Sequence, residues 1–165
     1  MSRIEKYKEF ESTNSPWELA RRWAVFGELA AVKLTELCAN QSENEIKLSV
    51  EIREISEKLI KGIDSRDRAA VEMIALEWES PSLDDDGLST CYDVFSGDKQ
   101  RLTVFHATEI GQMHSIGYAD KELGLPIEVV SRFRHLVQDV KDSLDEIYKN
   151  DLGTELERCL YELYE

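Results

Sequence analysis

Apolar residues in the first third of the chain recur with the helical period. Trp17, Ala20, Trp23, Ala24, Ala31, Leu34 and Cys38 share one side of a helix predicted over Pro16–Ala39. Phe26, Leu29 and Leu37 widen that surface, which makes this helix the expected centre of the fold. A second helix is predicted over Glu43–Ile63. Its Leu48, Ile52, Ile55, Leu59 and Ile63 fall on a stripe of about 80° and resemble a packing seam between helices. A third is predicted over Ser65–Trp78 with Asp64 as its cap, turning Ala70, Val71, Ile74 and Trp78 inward.

The longest amphipathic pattern runs from Pro126 to Asn150. Val129, Val130, Phe133, Leu136, Val137, Val140, Leu144, Ile147 and Tyr148 cover an arc of about 120°, opposite Asp139, Asp142, Asp145 and Glu146. A short final helix is predicted from Glu155 to Tyr164, anchored by Leu156, Leu160 and Leu163. Three helix starts carry capping boxes: Ser15 with Glu18, Ser42 with Glu45, and Thr154 with Glu157. Pro16 adds the proline favoured at a first helical position.

Residues 89–124 admit two readings. Leu102, Phe105, Ile110, Met113 and Ile116 fit one face of a helix capped by Asp98 and stopped at Gly124 before Pro126. Alternatively Ser89–Phe95 and Arg101–His106 pair as a hairpin across Ser96–Lys99. Gly111 and Gly117 weaken the helix by about 1 kcal/mol each relative to alanine. The helix is the preferred reading. The expected fold is all-α: one domain over 1–165, a bundle of about six helices, with an acidic loop at 80–98. The alternative is mostly α with one β-hairpin around residues 89–106.

Composition adds charge to this picture. The 165 residues carry a formal net charge of -14. Residues 80–165 hold 18 acids against 8 bases, whereas residues 1–79 hold 16 against 12. Residues 84–98 contain five aspartates and no base, and residues 139–165 contain nine acids and three bases. A field of this sign repels nucleic acid and anionic membrane and steers basic partners inward. The same charge on a featureless surface does no more than aid solubility. Cys38, Cys91 and Cys159 follow no ligand or disulfide spacing, which suits free thiols in a reducing compartment. No leader pattern opens the chain, and the most apolar run, Trp23 to Val32, includes Glu28. The expected location is the cytoplasm.

Candidate chemistry is sparse. His106 and Glu109 share a helical face, but His114 lies about 80° around and about 12 Å further along the axis. One straight helix does not bring the three to one metal, and His135 belongs to a later element. Glu28 and Glu36 on the first helix and Glu51 and Glu54 on the second are the other carboxylates that a hydrolytic metal could use. Gly27-Glu28-Leu29-Ala30 resembles, over four residues, the first helix of all-α nucleotide pyrophosphatases of the MazG type. Their Mg²⁺ spacing is not kept, because position 31 is Ala31 and no Glu-x-x-Asp follows in the next two helices. The chain has no Gly-rich phosphate loop and no Gly-x-Ser-x-Gly. Neither a catalytic residue, a metal ligand nor a cofactor is assigned.

The acidic stretch is the expected site. A calcium loop is excluded there, since the sixth and twelfth positions from Asp84 are Ser89 and Phe95 rather than glycine and glutamate. As plain surface it breaks helix and caps the next element. As a binding edge it offers Asp84, Asp85, Asp86 and Asp93 to a cationic partner, with Tyr92 and Phe95 as apolar anchors. Glu155, Tyr161 and Tyr164 form a second candidate patch. The expected function is an acidic protein-binding module of immunity or antitoxin type, which neutralises a basic, nuclease-type toxin. The alternatives are a metal-dependent hydrolase of all-α type and a homo-oligomeric adaptor bundle that uses the Leu48–Ile63 stripe between chains.

Overall fold

A computed structural model describes Glu9, residues 12–78 and residues 93–128. These residues form helices and connecting turns, with no strand among them. Four helices have both ends in the described residues: α1 (Pro16–Leu37), α2 (Glu43–Asp64), α3 (Arg68–Glu77) and α4 (Lys99–Leu123). The fold class is therefore all-α. Arg101–His106, the second arm of the alternative hairpin, lies inside α4. The helices predicted over Pro126–Asn150 and Glu155–Tyr164, and with them the total of six, fall largely or wholly outside the described residues.

Local chemistry places each start and stop. The hydroxyl of Ser15 accepts from the Glu18 amide at 3.3 Å, and that of Ser42 from the Glu45 amide at 3.4 Å. Asp98 caps α4 by accepting from the Arg101 amide at 3.1 Å. Gly124 ends α4 in the left-handed region at φ 62°, where a side chain is disfavoured, and its N–H returns to the Asp120 carbonyl.

The junction between α2 and α3 differs from the sequence expectation. Asp64 does not cap α3; it pairs with Arg21 on α1 at 2.9 Å. The Arg66 and Asp67 amides instead return to the Ile63 and Gly62 carbonyls, which is the Schellman pattern. Arg66 holds the left-handed position, at φ 55°, that glycine usually fills. Its guanidinium lies 3.9 Å from the centroid of the Trp17 ring, a contact that offsets part of the backbone cost. Asp67 is the true cap, accepting from the Ala70 amide at 3.1 Å.

The central helix is α4 rather than α1. Every residue from Leu102 to Glu109 is buried, and so are Gly111, Gln112, Met113, Ser115, Ile116 and Ala119. A helix enclosed on most sides needs apolar and small side chains all round, not one apolar face. The outer surface of α1 carries exposed Arg21, Arg22, Lys33 and Glu36, and Leu29 is 45% exposed rather than part of the core. α4 packs chiefly along α1, and α1 also packs on α2. Ile52, Leu59 and Ile63 of the α2 stripe are buried within the chain, with Leu48 and Ile55 packed against the same core. Three of the five residues of that stripe are thus committed to the chain's own core, and Leu48 and Ile55 are half-buried beside them.

Candidate functional site

The acidic stretch enters the described residues at its C-terminal end. Asp93 is exposed in a short helical turn, and the Ser96 amide donates to its carbonyl at 3.1 Å. Two residues on, Phe95 is 0% exposed and packs at 5.4 Å, centroid to centroid, from Phe105 of α4. The Phe95 carbonyl accepts from the Asp98 amide at 2.9 Å while Ser96 and Gly97 both take positive φ. The chain is thereby turned so that Asp98 can cap α4. Phe95 was expected as an apolar anchor for a partner; its ring is committed to the protein's own core, which is a correction to that expectation. The aromatic character that made Tyr92 and Phe95 candidate anchors carries no information about which of them meets the core. Asp84, Asp85, Asp86, Tyr92, Glu155, Tyr161 and Tyr164 lie outside the described residues.

The buried polar groups gather on or around α4. The Gln112 amide nitrogen donates to the Ile52 carbonyl at 3.1 Å and to the Ser56 hydroxyl at 2.8 Å. Its amide oxygen accepts from the Trp78 indole at 2.9 Å, so one side chain ties α4 to α2 and to the end of α3. Ser115 donates to the Ala20 carbonyl of α1 at 2.8 Å. These contacts satisfy buried polar atoms and hold helices in register.

His106 Nδ1 lies 3.5 Å from Glu109 Oε1, with both side chains buried. That length is too great for a hydrogen bond, and His106 Nδ1 has no hydrogen-bond partner. His114 stacks instead on Trp23, at 4.5 Å and 26°. The structure therefore separates His114 from the His106–Glu109 pair, as helix geometry requires. Glu51 and Glu54 are exposed on α2, Glu36 is exposed on α1, and Glu28 is half-buried there. Among the described residues no three His, Cys, Asp or Glu side chains gather to hold a metal ion.

A second buried group joins Cys38, which the sequence pattern placed on the apolar side of α1, to Glu45 and Arg101, which it did not place there. Cys38, just past α1, is fully buried, and burial is the main cause that pushes its thiol above its ordinary value. The carboxylates of Glu45 and Asp98 push the same way and the guanidinium of Arg101 pulls against them. Arg101 donates through Nε and Nη2 to the Leu37 carbonyl at 3.2 and 3.1 Å, which closes the end of α1. Glu45 is 1% exposed, and its Oε2 has no hydrogen-bond partner. The capping box predicted that this carboxylate would reach back to Ser42; only the hydroxyl half of the box forms. Helix periodicity could have hinted at the burial of Glu45, since Glu45, Leu48 and Ile52 follow the apolar spacing of α2.

Comparison with protein-family models, with curated proteins and with solved structures finds no match for this chain.

Proposed function

We propose that this chain is an acidic helical protein-binding module of immunity or antitoxin type, which blocks a basic, nuclease-type toxin by covering its cationic surface. The single observation that carries the reading is the anchoring of the acidic stretch at its C-terminal end. Asp93 is exposed while Phe95, two residues away, is locked in the core beside Phe105. Carboxylates held from a fixed point lose less freedom on docking than carboxylates on a free tail. A nuclease is positive where it holds phosphate, and opposite fields speed capture of such a surface. In this proposal Asp84, Asp85, Asp86, Tyr92 and Asp93 meet the partner, with Glu155, Tyr161 and Tyr164 as a second patch.

The test is stoichiometric complex formation between the full chain and a purified basic nuclease domain, taken from the reading frame next to its own. Binding is expected to block cleavage and to weaken as salt rises from about 50 to about 500 mM, since exposed charge pairs are screened. Asp84, Asp85, Asp86 and Asp93 changed together to Asn are expected to slow association more than they speed dissociation. An affinity indifferent to salt and to those changes rejects the proposal.

A further inference from the structure

We draw no further inference here: the strongest candidate, the buried His106–Glu109 side-chain pair on the central helix α4, with Nδ1 and Oε1 3.5 Å apart, carries nothing because among the described residues no third His, Cys, Asp or Glu gathers with it to complete a metal site.

Discussion

Gly27 and Gly111 face each other backbone to backbone where α1 and α4 cross. A Cβ placed on Gly111 would lie 2.9 Å from the Gly27 Cα, the Gly27 nitrogen and a ring carbon of Phe26. Two of those three atoms belong to the backbone and cannot swing aside. On the same helix Gln112 reaches Ser56 of α2 and Ser115 reaches Ala20 of α1, which is where the buried interhelical hydrogen bonds form.

Gly111→Ala is expected to lower stability although alanine is the better helix former. Propensity returns about 1 kcal/mol, while overpacking against backbone costs about 1–3 kcal/mol. Gly117→Ala, at an exposed position of the same helix with nothing within 4 Å of the added carbon, should raise stability by about 0.5–1 kcal/mol. Urea unfolding of the two variants checks both signs in one experiment.

Replacing Gln112 by leucine conserves volume but removes the contacts to Ile52, Ser56 and Trp78. A loss of about 1–3 kcal/mol is expected, with a shift in tryptophan fluorescence because the Trp78 indole loses that acceptor. An unchanged denaturation midpoint would show that the Gln112 bridge contributes nothing.

Glu45→Met is expected to stabilise the protein by about 1 kcal/mol. The change removes a buried carboxylate oxygen that has no hydrogen-bond partner, at the cost of a favourable charge near the start of α2. Thermal unfolding of this variant beside the native chain gives the sign directly, and a lower midpoint would contradict the account of Glu45.

Cys38 makes stability fall at alkaline pH. Its thiol is held above the ordinary value of 9.0 in the fold, so the unfolded chain ionises first and binds fewer protons. The stabilising share of Cys38 is thus full below that value and is lost as pH rises through it toward the folded value. The stability difference between native chain and Cys38→Ala, measured across that window, should decline by at most about 1.4 kcal/mol per pH unit. A difference that is flat with pH would mean the thiol is not shielded.

Much of the helical framework was legible in the residues alone. Ser15-Pro16, Ser42 and Asp98 mark starts because a side-chain oxygen finds an amide three residues on, and Gly124 marks a stop because it tolerates positive φ. Those are local interactions, and a sequence records them directly. Arg66 escaped because its left-handed turn depends on Trp17, some fifty positions earlier in the chain. The central place of α4 escaped because a helix buried on most sides shows no single apolar face to read.

What the amino-acid order determined by itself is the all-α class, most helix ends and the sign of the surface charge. Tertiary structure alone decided that Phe95 faces inward, that Gly27 meets Gly111 and that Gln112 joins three helices. The physical reason is common to all three. Each depends on which groups from distant parts of the chain come within a few ångströms of one another, and periodicity along a single helix does not contain that information.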